Sequence, residues 1–389
     1  MCIRDSYGAV TIANVTPNIT DNDTPGYVIT RTSSTSGAGI FTRLITTEAL
    51  GKGTFTIKLA TQPSGQVSIP VSSSNTAEGT LSASVSPIIF QTNNWSTTQE
   101  ITVTGVDDAV DDGDKNYQIT FGIPTSTDSN YNGFLRTPSP VLMVNQNNDF
   151  AAVLVDKTSV VTSETGGGVS TGTGTSDTLN VTLQCQPTAD VIITVSGINA
   201  LEHTVLPASL TFTGGPTGNW NVAQAFTITG VNDAVNDSPD PVPYNLTFTA
   251  SGSAPEYAGT AGPPVITTKT ATVSVLNQDD DTPGIQVSSS SLTVTEASGS
   301  NHTKTFAVRL NSLPGGTVAI SFASSNTAVA TISPSVLSFD NTTFDNSTAG
   351  EITSHTITVT GVNDDVDQAS VLTSTITGTV TTGVGPDYT

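Results

Sequence analysis

A short phrase that occurs three times constrains this chain more than any other feature. It reads Ile101-Thr102-Val103-Thr104-Gly105-Val106-Asp107-Asp108, then Phe226-Thr227-Ile228-Thr229-Gly230-Val231-Asn232-Asp233, then Ile357-Thr358-Val359-Thr360-Gly361-Val362-Asn363-Asp364-Asp365. The glycines at 105, 230 and 361 are 125 and 131 residues apart. A repeat of that length is too long for a small-unit solenoid, and each copy can bury a core of its own. Other landmarks keep the same order. Asp21-Asn22-Asp23-Thr24-Pro25-Gly26 returns as Asp279-Asp280-Asp281-Thr282-Pro283-Gly284, and Tyr131, Tyr257 and Tyr388 mark one more equivalent point. The expected organisation is therefore the tail of a preceding repeat at 7–24 and repeats at 25–149, 150–281 and 282–389, the last stopping before its final strand. The opening Met1-Cys2-Ile3-Arg4-Asp5-Ser6 is what a transposon end used in building sequencing libraries would encode. Residues 1–6 are set aside as a scar, and the chain is expected to be a fragment of a longer protein.

The local pattern is that of strands. Phe55, Ile57 and Leu59 alternate with Thr54, Thr56 and Lys58, and Phe306, Val308 and Leu310 alternate in the same way. Thr, Val and Ile suit a pleated surface, and alternation marks one buried face. Gly, Pro and Asn clusters punctuate at short intervals, as many short strands require. The expectation is an all-β chain of tandem immunoglobulin-like Greek-key β-sandwiches in an extended array. Trp95 and Trp220 open an equivalent strand in two repeats and are read as core anchors, and Cys185 as a small core residue.

Charge excludes several roles. The formal net charge is -22, from 33 acidic and 11 basic residues. Such a surface repels nucleic acid and anionic lipid alike. No run of apolar residues is long enough to span a bilayer in this segment.

The acids are not evenly spread. Each repeat has an early glutamate: Glu48, Glu164 and Glu296. Each has an acidic hairpin after the Thr-Gly-Val strand: Asp107, Asp108, Asp111 and Asp112, then Asp233 and Asp237, then Asp364, Asp365 and Asp367. A closing run follows, most fully at Asp279, Asp280 and Asp281. In a sandwich, an early strand, a late hairpin and the final strand can reach one end. Two carboxylates about 5 Å apart repel by roughly 3 kcal/mol at an effective dielectric near 20. A hard divalent cation removes that repulsion, and Ca²⁺ accepts several oxygens in flexible geometry. The bland alternative is a set of solvated turns, where Asp is common.

These acidic patterns resemble the Calx-β family, which carries a Glu before its second strand, an Asp-Asp pair with further acids in a late loop, and a closing Asp run. Glu296, Asp107-Asp108 with Asp111, Asp364-Asp365 with Asp367, and Asp279-Asp280-Asp281 carry the likeness. The resemblance implies Ca²⁺ bound at one end of an immunoglobulin-like sandwich. The chain departs from the family where an Asp-Gly-Thr-Ala turn would stand. Here it reads Asn75-Thr76-Ala77 and Asn326-Thr327-Ala328, and the Gly-x-Asp-Tyr that should follow is absent. The first repeat also closes on Asn145-Gln146-Asn147-Asn148-Asp149, so unequal affinities are expected.

The functional expectation is a calcium-stiffened stalk of a bacterial surface or secreted protein, structural or adhesive. Its partners would be calcium ions, neighbouring repeats, and cell-surface glycans or proteins reached through other regions. The alternative is a carbohydrate- or ligand-binding array accessory to a secreted hydrolase. Catalysis within the segment is not expected. Gly168-Val169-Ser170-Thr171-Gly172 matches a nucleophile elbow, but that motif needs a following helix and a histidine partner. The three histidines, His203, His302 and His355, fall at unrelated places in the repeat.

Overall fold

The computed structural model describes residues 16–33, 35–36, 42–164, 172–237, 240–258, 269–340, 354–364, 366, 371–383 and 388. Residues 1–6, Ser170, Asp365 and Asp367 lie outside that set. The chain divides into two compact units, Met1–Asp149 and Phe150–Thr389. The described residues are all-β and form tandem immunoglobulin-like sandwiches.

In the first unit one sheet orders Tyr27–Arg31, Lys52–Leu59, Gln99–Gly105 and Gly79–Leu81. The facing sheet orders Thr35–Ser36, Arg43–Thr47, Val141–Gln146, Lys115–Phe121 and Val71–Ser73. The alternation does what the sequence asks of it. Phe55, Ile57 and Leu59 from one sheet and Tyr117, Ile119 and Met143 from the other are buried in a single core. One pairing departs from the antiparallel rule: the closing strand Val141–Gln146 runs parallel to Arg43–Thr47, with Asn145 opposite Thr46.

The second unit begins with the same plan. Val153–Val155, Gly172–Leu183, Gln224–Asn232 and His203–Leu206 form one sheet. Ser159–Ser163, Thr270–Gln278, Val242–Gly252, Val191–Ser196 and Ser209–Phe212 form the other. The closing strand again runs parallel to the early one, with Asn277 opposite Thr162. A further sandwich follows. Its sheets order Ile285–Val287, Thr303–Leu310, His355–Gly361 and Ala330–Ser333, and Val336–Phe339, Val318–Ser324 and Ile376–Thr382.

The repeated landmarks have structural reasons. A Cβ on Gly105 would lie 2.2 Å from the Thr47 carbonyl and 2.6 Å from Asn145 Oδ1; on Gly230 it would meet Asn277 Oδ1 at 2.6 Å. Only glycine lets the early strand and the closing asparagine approach this closely. The tyrosine hydroxyls each donate to a backbone carbonyl: Tyr131 to Thr61 (2.8 Å), Tyr257 to Cys185 (2.8 Å) and Tyr388 to Ser312 (3.0 Å). Trp95 and Trp220 pack partly buried against their cores, and Cys185 is fully buried.

Candidate metal centre

The early strand, the late loop and the closing strand end together at one end of each of the first two sandwiches. A buried Asn-Thr pair forms the floor. Thr46 Oγ1 donates to Asn145 Oδ1 (3.0 Å), and Thr162 Oγ1 donates to Asn277 Oδ1 (2.9 Å). This fixes each amide with its Nδ2 aimed at the acids. Asn145 donates to Glu78 Oε2 (3.3 Å); Asn277 donates to Glu164 Oε1 (3.1 Å) and Glu202 Oε2 (3.4 Å).

In the first sandwich, carboxylate oxygens of Glu48, Asp107 and Asp149 lie within 4.8 Å of one another. Glu48 is 1 % exposed. Burial pushes its pKa up to about 7, against a hydrogen bond from the Asn148 amide, with the charges of Asp108, Asp112 and Asp149 adding to the rise. Burial also raises Glu78 and Asp149. Much of the remaining acid is tied by amides. Asn148 Nδ2 donates to Asp107 (3.2 Å), and Asn147 donates through its backbone to Asp114 (3.1 Å) and through Nδ2 to Asp111 (3.3 Å). Lys115 pairs with Asp112 Oδ2 at 3.2 Å. Asp112 Oδ1 and Asp149 Oδ2 are buried with no hydrogen-bond partner among the described residues. Asp108 is exposed, its Oδ1 closing a turn on the Val110 amide (2.8 Å).

The second sandwich holds two trios, Glu164-Asp279-Asp281 and Glu164-Glu202-Asp237, each within 4.8 Å. Glu164 belongs to both. Burial drives its pKa to about 8, with the charges of Asp233, Asp279 and Asp237 adding to the rise. Asp237 and Asp281 are each pushed up to about 7, by burial first and then by neighbouring acids. Asp233 and Asp279 move the same way, again chiefly through burial. Asp237 Oδ2 and Asp281 Oδ2 are buried without partners among the described residues. Asp280 is exposed and belongs to neither trio. The loop carrying Asp233 and Asp237 also touches the following sandwich: Leu313 N donates to Ala234 O at 2.6 Å, and Val235 bridges Leu313.

The third sandwich is different. Glu296 is half-buried and Asp364 exposed, and no comparable trio forms there among the described residues. Val329 stands where the first two sandwiches place Glu78 and Glu202, and it packs against the core.

The donor set is all oxygen, partly desolvated and mutually repelling, with buried oxygens that have no hydrogen-bond partner among the described residues. That chemistry fits a hard divalent cation and not a thiolate- or imidazole-preferring metal. Two contributors were not foreseen. Glu78 and Glu202 each stand alone in sequence, three residues after the asparagine whose carbonyl their amides reach (3.3 and 3.1 Å). Each places a carboxylate directly after its asparagine turn, Asn75-Thr76-Ala77 and Asn199-Ala200-Leu201. Asp149 sits in a run dominated by amides. The segment after Ser170 is the strand Gly172–Leu183, not the helix a nucleophile elbow requires.

No known sequence family and no curated protein matches this chain. Among solved structures it is similar to CBD12 from CALX1.2, at 11% identity and a TM-score of 0.25, over 60% of this chain and 96% of that one. It is also similar to protocadherin gamma B7 extracellular cadherin domains 1-4, at 11% identity and a TM-score of 0.29, over 87% and 73% of the two chains. Protocadherin gammaB7 EC3-6 aligns at 11% identity and a TM-score of 0.30, over 92% and 77%. The immunoglobulin-like sandwich assignment rests on the strand order and register described above.

Proposed function

We propose that this chain is a segment of an extracellular stalk built of Calx-β-like sandwiches, and that Ca²⁺ binds at the carboxylate end of the first two. The observation that carries the reading is the pair of convergent carboxylate sets, each built around a buried glutamate, with buried oxygens that lack a hydrogen-bond partner among the described residues. Glu48, Asp107 and Asp149, helped by Glu78 and Asp112, would hold an ion in the first. Glu164 would be shared between two positions in the second, one with Asp279 and Asp281, the other with Glu202 and Asp237. A bound ion would supply positive charge, of which Lys115 gives the first site a part. The chain's own part is to hold the oxygens convergent, through the Asn-Thr floor and the parallel strand pair.

The stalk reading is supported by the tandem repeat, by the short Thr282-Pro283-Gly284 passage between sandwiches, and by the Ala234–Leu313 contact. In this reading the loop that would hold the ion lies against the next sandwich. Proline restricts the passage further.

Calorimetry and thermal melts test the ion. An ion that binds only the folded state adds RT ln(1 + [L]/Kd), about 1.4 kcal/mol at tenfold excess over Kd. Melts in millimolar calcium should therefore lie above melts in chelator. Superimposable curves with no heat of binding would leave solvated turns as the better account. Small-angle scattering tests the stalk: the maximum dimension should lengthen or sharpen with calcium, and a particle unchanged by the ion would remove stiffening from the proposal.

A further inference from the structure

One tyrosine stands at the same place in the first two sandwiches, and its hydroxyl does different things in each. Lys115 and Val242 lie opposite the closing asparagines, so Tyr117 and Tyr244, each two residues on, are equivalent. In the first sandwich the Tyr117 hydroxyl lies 2.9 Å from Thr46 Oγ1. Thr46 directs its own proton to Asn145 Oδ1, so Tyr117 is the donor and belongs to the floor. In the second, Thr162 still donates to Asn277. The Tyr244 hydroxyl, however, is buried with no hydrogen-bond partner among the described residues.

The difference begins one residue after the inward glutamate. Gly79 and His203 occupy the same position, opposite Gly105 and Gly230. A Cβ on Gly79 would collide with the hydroxyl and ring of Tyr117. Any side chain there must therefore move the tyrosine. His203 is such a side chain. It is fully buried, and its ring centroid lies 5.0 Å from that of Tyr244. Neither of its ring nitrogens has a partner among the described residues, so it acts on Tyr244 by bulk. The displaced hydroxyl lies among acids. Burial pushes its pKa up, and Glu202, then Asp237 and Glu164, push it further. Those three acids form one of the trios. The third sandwich has Ala330 at this position, after Val329, and so has neither the wedge nor the acid.

We propose that Tyr244 is a positioning residue for the cation held by Glu164, Glu202 and Asp237. Its hydroxyl donates to Glu202 once the ion draws that carboxylate into place, and His203 is the wedge that turns it there. The inference rests on the calcium reading above. Glu202 accepts from Asn277 on Oε2 (3.4 Å), and a carboxylate has lone pairs left for a phenol and an ion together. A ligating carboxylate fixed by a second donor keeps its orientation toward the metal. Tyr117 cannot serve the first site in this way, because its proton is committed to Thr46. The hydroxyl of Tyr244 thus gives the second sandwich a device that the first lacks.

Calcium titration calorimetry on the full chain compares the unsubstituted protein with Tyr244→Phe, which keeps the ring and removes the donor. Tyr244→Phe should weaken one calcium position by about 10–100-fold and leave the others unchanged. Tyrosine absorption in the near ultraviolet reads the hydroxyl itself. It should shift to longer wavelength when calcium is added to the unsubstituted chain, as a phenol gaining a carboxylate acceptor does, and Tyr244→Phe should lose that shift. His203→Gly frees the place that Tyr117 fills in the first sandwich, so it should weaken the same position. Adding Tyr244→Phe to it should then weaken binding by no more than about twofold. If His203→Gly does not fold, Tyr244→Phe decides through affinity and absorption. Affinities unchanged by Tyr244→Phe overturn the proposal and leave the calcium reading standing. A weakened position with no absorption shift in the unsubstituted chain makes the tyrosine structural only and also overturns it. Fully additive losses from the two substitutions remove His203 as the wedge. An unsubstituted chain that gives no heat with calcium overturns both readings together.

Discussion

The carboxylate ends of the first and second sandwiches share a frame and differ in depth. Asn145 and Asn277 occupy the same register position, and so do Gln146 and Gln278. Beyond them the first continues Asn147-Asn148-Asp149 and the second Asp279-Asp280-Asp281. The amides of Asn147 and Asn148 reach Asp107, Asp111, Asp114 and Glu48, so the first site is partly neutralised from within. Lys115 adds a cation there, and its register counterpart in the second is Val242. In the second, donors to the acids are the Asn277 side chain and the backbone amides of Asp233, Asp237, Asp279 and Asp281; no lysine pairs with them among the described residues, and Glu164, Glu202 and Asp281 are drawn into the interior. Two sites of similar acidity can thus need an ion to different degrees, because burial and local donors set the need rather than the count of acids.

The sharpest way to break this comparison is to neutralise the early glutamate in each. Glu164 belongs to two trios and Glu48 to one. Glu164→Gln should weaken calcium binding by more than the roughly 10–100-fold typical of losing an outer-shell partner, and Glu48→Gln by less. In chelator the sign inverts: Glu164→Gln should raise the melting temperature by removing repulsion. Equal losses from both variants in titration calorimetry would erase the proposed difference between the sites.

Acidity gives the next largest effect. Glu164, Asp237 and Asp281 have folded pKa values raised to about 8, 7 and 7, chiefly by burial. The folded state therefore binds protons more readily than the unfolded chain. Its stability is greatest below the unfolded carboxylate range and falls as pH rises through about 7 to 8. Melts in chelator should drop between pH 5 and pH 8, and saturating calcium should flatten the slope. A metal-free protein that grows more stable over that interval would contradict the burial of these groups.

Removing the floor comes third. Asn277→Ala deprives Glu164 and Glu202 of a donor at once and should cost about 1–3 kcal/mol, as a buried polar group left unmatched does. Asn145→Ala should cost less, because Asn145 Nδ2 reaches one carboxylate and the Val106 carbonyl. Denaturant unfolding reads the order, and a reversed order would mean that Asn277 does not organise the acids. The smallest effect belongs to Asp280→Asn and Asp108→Asn. Both side chains are exposed, so calcium heats should be nearly unchanged.

The frame was legible in the sequence for a physical reason: strand alternation and glycine placement are local. Phe55-x-Ile57-x-Leu59 shows its buried face without any partner, and the thrice-repeated glycine marks a close approach. Glu48, Glu164 and the late aspartates stood out because they recur at fixed offsets from those landmarks. Glu78 and Glu202 did not, because a lone glutamate at the foot of a strand looks like a solvated turn. Only packing against a distant asparagine, 67 residues from Glu78 and 75 from Glu202, shows otherwise. The depth of each aspartate was also hidden. Asp280 and Asp281 are neighbours in sequence, yet one faces water and the other is buried. The third sandwich shows the limit of reading by repetition: it keeps the glycine and the early glutamate, but Val329 replaces the inward acid.

The parallel pairing of the early and closing strands has a mechanical consequence. Arg43–Thr47 lies near the start of its sandwich and Val141–Gln146 at the end. Tension applied along the polypeptide pulls such a pair in shear, so its hydrogen bonds bear load together instead of opening one by one. Glu48 and Asp149 sit just beyond the two strands. An ion held between them would act as a rivet across the sliding surface. Single-molecule extension in calcium should therefore show a higher rupture force than in chelator. Equal forces would mean that the bound ion does not share the load.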